Sequence, residues 1–161
     1  SGANQISLWR KGLMKHIITI PIVIIILVGA GFWGWKTFLP QYRANSNDVT
    51  QVKRGQIVYQ QYCAMCHGKN LEGQPEWRYR KSDGRLPAPP HDETGHTWHH
   101  SDEHLVGITK YGPGEFVPGG YESDMPAFDG VLLDEDIWAV IAFIKSTWAP
   151  GILERQSRTN Q

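Results

Sequence analysis

The chain has 161 residues, 40% of them apolar, and no formal net charge at pH 7. This length suits one compact domain with an appendage, and the apolar content supports an ordinary core rather than a disordered chain. The only cysteines are Cys63 and Cys66, which excludes a disulfide framework and any four-thiolate metal site built by this chain alone. We expect no nucleic-acid partner.

The first predicted element is an apolar segment, residues 17–35, with the uncharged sequence IITIPIVIIILVGAGFWGW. A helix of this length spans the hydrocarbon core of a bilayer. Residues 1–40 hold four basic and no acidic residues, and three of the four precede the segment. By the positive-inside rule we predict a cytoplasmic N-terminus and a single transmembrane anchor in residues 1–40, in contact with lipid of the inner membrane, with everything after it periplasmic. A cleaved signal peptide is the alternative. The apolar run of a signal peptide is usually shorter than this one, and no small-residue cleavage site of the A-x-A type follows here.

The polar residues 41–51 are predicted to be a short tether. From Val52 to Tyr62 apolar residues recur at helical spacing, so we expect a helix that runs into the sequence CAMCH, residues 63–67. The pattern C-x-x-C-H is the attachment site of haem c, in which two cysteines form thioethers and the histidine ligates the iron. We therefore expect one covalent haem c on Cys63, Cys66 and His67. A thioredoxin-like pair is the alternative, but no strand precedes the motif.

The iron needs a second ligand, and the chain offers three methionines. Met14 precedes the apolar segment and Met65 lies between the two cysteines. Met125 remains, in a loop stiffened by Pro126, and we predict it to be the second ligand.

The histidines of the middle segment provide two alternatives. His91 or His99 would replace Met125 as the iron ligand. His96, His100 and His104 are spaced four apart, so one helix through all three would create a copper or zinc site.

Two further helices are predicted after this segment. Ser101 can cap a short helix that ends at Gly112. Residues 134–148 have an apolar stripe at helical spacing, with Asp134 as the expected cap and Pro150 as part of the stop signal. Residues 151–161 are predicted to be a C-terminal tail.

Residues from about 50 to 148 resemble a class I cytochrome c, the all-α monohaem family with His/Met ligation. The residues that carry the resemblance are Gly55, Tyr59, Cys63, Cys66, His67, Met125-Pro126-Ala127-Phe128 and residues 134–148. The resemblance implies an all-α fold, with a small cytochrome c domain over residues 52–150 behind the transmembrane helix, and a crossing of its first and last helices at Gly55. It also implies that a proline carbonyl accepts the Nδ1 proton of His67. Pro90 is the assigned residue, with Pro89 as the alternative, and Trp98 is expected near the haem propionates.

The function follows from a haem iron with both axial positions filled, which leaves no site for a substrate. We expect a single-electron carrier of a respiratory or related chain rather than an enzyme, working as a tethered shuttle or as a subunit of a membrane complex. The expected partners are a quinol-oxidising complex or a terminal oxidase, docked through acidic residues near Met125. The alternatives are a peroxidase or gas sensor with a labile methionine, and a periplasmic copper- or zinc-binding protein.

Overall fold

The structure is a computed structural model that describes residues 41–161, and within this range it is helical without β-strands, as the all-α prediction requires. Its helices are α1 Val49–Tyr62, α2 Ala64–His67, α3 Asp102–Tyr111, α4 Asp134–Ser146 and α5 Pro150–Thr159, with 3-10 turns at Thr97–His99 and Pro113–Glu115. Among the described residues, none of the helices combines the length and apolar character that a membrane span requires. The predicted anchor, residues 17–35, lies outside the described residues.

Helix α1 begins at Val49, three residues before the predicted start, so residues 49–51 of the predicted tether are helical. The cause is Asp48, whose carboxylate accepts from the backbone N–H groups of Thr50 and Gln51 at 3.0 and 3.1 Å and satisfies donors that the first turn leaves free. The Gln51 side chain holds the preceding chain, because it donates to the Arg43 carbonyl and accepts from the Asn45 N–H, both at 2.8 Å. The approach to the domain is thereby fixed from Arg43 onwards.

The core is built where α1 crosses α4 at Gly55, which confirms the expected helix pair. A Cβ atom at position 55 would overlap the carbonyl oxygen of Ala139 and lie 3.0 Å from the Cβ of Phe143. One turn later Tyr59 is fully buried, and its hydroxyl donates to the Gly68 carbonyl at 2.9 Å. The crossing therefore fixes the C-terminal end of α1, where the CAMCH motif begins.

The predicted N-cap of α3 is confirmed, whereas the predicted N-cap of α4 is wrong. The Ser101 hydroxyl accepts from the His104 N–H at 3.2 Å and α3 ends before Gly112, which confirms that prediction. The predicted cap Asp134 is instead the first residue of α4, after the N-cap Leu133. Its carboxylate is taken up by the Lys110 ammonium group at 2.6 Å.

The predicted tail, residues 151–161, is largely helical, because Pro150 opens the helix α5. Proline suits the first turn of a helix, where its missing N–H is not needed. Gln156 of α5 is fully buried. The Gln156 side-chain amide donates to the His100 carbonyl at 3.1 Å and to the Asp102 carboxylate at 2.7 Å. The Asp102 carboxylate also receives both hydrogen bonds of a buried Lys145 ammonium group, at 2.7 and 2.8 Å.

Candidate haem-binding site

The two cysteines lie where α1 passes into α2. The backbone N–H of Cys63 donates to the Tyr59 carbonyl at 2.9 Å, and Cys66 follows within the single turn of α2. Both thiols are free, Cys66 exposed and Cys63 half-buried. Burial, and secondarily the neighbouring Cys66, raises the pKa of the Cys63 thiol to about 11. The α1–α2 junction therefore presents two sulfur atoms next to the histidine of the motif.

His67 is buried, and its orientation is set by one hydrogen bond, between Nδ1 and the Pro89 carbonyl oxygen at 2.9 Å. Because a carbonyl only accepts, Nδ1 carries the proton and the lone pair lies on Nε2, the nitrogen available to iron. Burial lowers the pKa of His67, and the Pro89 bond offsets part of that change. The side chain is thus held as the neutral imidazole that metal ligation requires.

Pro90 was predicted to hold His67, with Pro89 as the alternative, and the structure corrects this to Pro89. The Pro90 carbonyl instead accepts from the Thr97 hydroxyl at 3.4 Å, while Pro89 holds His67. The two residues are adjacent, and only the course of the loop decides which carbonyl turns toward the imidazole.

His91 is the direct neighbour of His67, with the two rings stacked at 4.1 Å between centroids. Its Nδ1 bonds the Thr97 hydroxyl at 2.8 Å, and its carbonyl accepts from the Trp148 indole at 2.8 Å. Burial lowers the pKa of His91 well below its ordinary value, and His67 and His96 add to this. His91 is therefore a neutral, fixed part of the loop that faces His67.

Met125 lies half-buried in the segment between α3 and α4. Phe128, three residues after Met125, is buried. Its ring packs edge-on against the ring of Tyr62, with 6.2 Å between the centroids, and Tyr62 directly precedes Cys63 in the chain. The Phe128 backbone N–H donates to the Lys110 carbonyl at 3.0 Å, which ties the segment to α3. The methionine segment thereby packs against the end of α1 that carries the cysteines.

Two buried nitrogen donors, Nε1 of Trp98 and Nε of Arg85, have no hydrogen-bond partner within the described residues. Leaving a buried donor unpaired costs free energy, so such atoms point to an acceptor from outside the chain. Haem supplies two propionate carboxylates, which are acceptors of this kind. Two thiols and a neutral imidazole fit haem c, and the Trp98 indole, which packs against the same core cluster as Cys63, has an N–H that the described part of the chain leaves free for a propionate.

Arg85 has a buried nitrogen, unpaired within residues 41–161, that no sequence pattern indicated. It is one of several basic residues in a polar loop, and no spacing distinguishes it from Arg78 or Arg80. Its contacts depend on acidic residues far along the chain, so only the folded structure identifies it.

The histidines proposed as a copper or zinc site belong to a row of aromatic rings, the histidine row, in which stacked and edge-on contacts alternate. Centroid distances along Trp77, His96, His100, His104 and Phe116 are 5.5, 5.4, 4.7 and 5.3 Å. Over residues 41–161, no group of three or more His, Cys, Asp or Glu side chains is placed to hold a metal ion. Burial, with neighbouring histidines contributing, lowers the pKa of both His96 and His100.

The acids predicted to dock a partner are largely paired within the chain. Arg54 binds Glu135 and Asp136, both at 2.7 Å, and so links α1 to α4. The other ion pairs of this set are Lys110 with Asp129 and Asp134, Arg85 with Glu122 and Asp124, and Lys81 with Asp124. Much of the acidic surface near Met125 is therefore paired with basic side chains of the same chain.

A helical domain that presents a C-x-x-C-H motif beside a neutral, buried histidine defines a small haem c protein. A family model described as Cytochrome c matches residues 52–148, the segment from α1 to the end of the α4 region. The chain belongs to the cytochrome c family, carries covalently bound haem c and is an electron-transfer protein in the general sense of that family. No curated protein and no solved structure matches the chain. Helix α5 lies beyond the matched segment.

Proposed function

We propose that the chain is a membrane-anchored monohaem cytochrome that passes single electrons, with His67 and Met125 as axial iron ligands. The observation that carries the proposal is the buried imidazole of His67, held by the Pro89 carbonyl at the end of the cysteine motif. Bound haem c supplies reversible one-electron exchange between ferrous and ferric iron. A carrier needs this exchange and no substrate site.

The protein residues would tune and protect this exchange. The Pro89 carbonyl strengthens donation by His67, because a hydrogen bond to Nδ1–H makes the opposite nitrogen more basic. The neutral thioether of Met125 favours ferrous iron and raises the reduction potential relative to a second histidine. Filling both axial positions favours electron transfer over a peroxidase or gas-sensing role.

The proposed site of action is the periplasmic face of the inner membrane. Support comes from the uncharged run of residues 17–35 and the basic residues before it. An anchor raises the effective concentration of the haem domain near other membrane complexes. We propose a quinol-oxidising complex or a terminal oxidase as partner, with the protein acting as a shuttle or as a fixed subunit.

The ligand assignment is tested by the optical spectrum of the purified ferric protein. We expect the weak sulfur-to-iron charge-transfer band in the wild type and its loss in Met125→Ala. Met65→Ala is the matched control, because that side chain is 92% exposed and lies between the cysteines, and it should leave the band unchanged. A wild type without the band, or one whose ferrous form readily binds carbon monoxide, contradicts the proposal and favours the histidine-ligated or gas-reactive alternatives.

The anchor is tested by fractionating cells that express the full chain. We expect the protein in the membrane fraction after alkaline carbonate washing. A double substitution Ile24→Asp with Ile25→Lys should release it, because each charge at the centre of a span costs about 3 kcal/mol of insertion free energy. Gln5→Lys, which adds a charge before the apolar run, is the control. Release of the wild type by the wash argues against a retained anchor.

A further inference from the structure

The long segment between the haem motif and α3 contains a loop, residues 74–87, that is closed at its base on the His67 side. The Gly73 N–H donates to the His67 carbonyl at 2.8 Å. The Gln74 N–H donates to the Ala88 carbonyl at 2.8 Å, and the Ala88 N–H donates back to the Gln74 side chain at 3.0 Å. The base of this loop therefore directly precedes Pro89, the residue that orients His67.

The tip of the same loop binds the methionine segment. The Arg85 guanidinium donates to Asp124 at 2.8 Å and to Glu122 at 3.2 Å. Lys81 binds the other oxygen of Asp124 at 2.5 Å, so the carboxylate next to Met125 is held from two sides. We call Lys81, Arg85, Glu122 and Asp124 the loop clasp.

The clasp matters because the two flanks of Met125 are held differently. On the C-terminal side, the N–H groups of Phe128 and Asp129 donate to the Lys110 carbonyl of α3. On the N-terminal side, residues 118–124 make no backbone–backbone hydrogen bond to any part of the chain between residues 41 and 161. The ion pairs of the clasp are thus the main polar contacts that fix the N-terminal flank.

We infer that Lys81 and Arg85 are positioning residues that keep Met125 on the iron by holding Asp124 and Glu122. The inference rests on the proposed Met125 ligation. The clasp acts by opposing departure of the methionine segment, so its loss raises the fraction of protein with an open axial position. An added ligand then binds more tightly in proportion to that fraction. The clasp side chains are between 38 and 75% exposed, so salt should weaken them.

The experiment titrates imidazole into the ferric full-length holoprotein and follows loss of the charge-transfer band. For the double variant Lys81→Gln with Arg85→Gln we expect imidazole affinity to rise about three- to tenfold, the scale of a few exposed ion pairs. Lys81→Arg with Arg85 intact should remain close to wild type, because it keeps the charge that binds Asp124. Arg54→Gln is the matched control, since it removes an equally exposed arginine that also binds two acids, away from Met125.

A second measurement varies the salt concentration for the wild type and the double variant. Raising sodium chloride should increase imidazole affinity in the wild type and leave the double variant unaffected, because the variant has no clasp to screen. Equal affinity in the wild type and the double variant, or an equal rise in Arg54→Gln, would overturn the clasp while leaving Met125 ligation intact. Absence of the band from the wild type would overturn the ligation and the clasp together.

Discussion

The buried ion pair between Lys145 and Asp102 gives a quantitative test of how α4, α3 and α5 are held together. The two side chains are 10% and 11% exposed, and Asp102 also accepts from Gln156 at 2.7 Å. Replacing Lys145 with methionine keeps the bulk of the side chain but leaves a buried carboxylate with one side-chain donor. Breaking one partner of a buried pair costs about 3–5 kcal/mol of unfolding free energy. In a domain of this size, a loss of 1 kcal/mol lowers the melting temperature by about 4 °C, so the melting temperature should fall by about 12–20 °C.

The assay is thermal and urea unfolding of the holoprotein, followed by far-ultraviolet circular dichroism. The double variant Asp102→Asn with Lys145→Met removes both charges yet keeps an oxygen acceptor for Gln156, so it should recover most of the loss. Arg158→Met is the control, because its ion pair with Glu154 is about two-thirds exposed and is worth less than about 1 kcal/mol. The reasoning fails if Lys145→Met costs no more than this control, or if the double variant loses the sum of the two single losses.

Three other predictions concern α1 and the histidine row. Gly55→Ala should cost about 2–3 kcal/mol in urea unfolding, because its Cβ overlaps the Ala139 carbonyl and forces α1 from α4; a loss below that of an exposed helix substitution would contradict this packing. Tyr59→Phe should cost about 1 kcal/mol in the same assay, because the Gly68 carbonyl loses the Tyr59 hydroxyl and keeps only the Leu71 N–H at 3.3 Å, and an unchanged midpoint would argue against the Tyr59 bond. Burial lowers the pKa of His100 below its unfolded value, so its contribution is present above about pH 6.5 and is lost as the pH falls. Unfolding free energy measured from about pH 7 to about pH 5 should therefore fall less in His100→Gln than in wild type, and equal slopes would refute the assignment.

Local signals were enough to predict much of the helical domain. The haem motif, the Ser101 cap and the apolar stripe of α4 depend on residues close in sequence, and the structure contains the helices they indicate. Helix α5 escaped prediction because Pro150 can follow one helix and also begin the next. What favours the second role is burial of Gln156 against residues 54 and 56 positions away, which no local pattern records.

The site shows the same division between local and distant information. The C-x-x-C-H pattern predicts the cofactor because attachment chemistry demands that spacing, and the family match supports it. The choice of Pro89 over Pro90 and the contacts of Arg85 depend on loop paths that bring together residues more than 20 positions apart. Such contacts can be identified only after folding.

The hydrogen bonds of Gln51 to Arg43 and Asn45 fasten the chain that enters the haem domain to helix α1. If residues 17–35 span the bilayer, only residues 36–42 separate the span from the point where the chain is fastened to α1. Seven fully extended residues reach at most about 25 Å. If the proposed anchor is retained, a redox partner must meet the haem domain within that length of chain from the membrane.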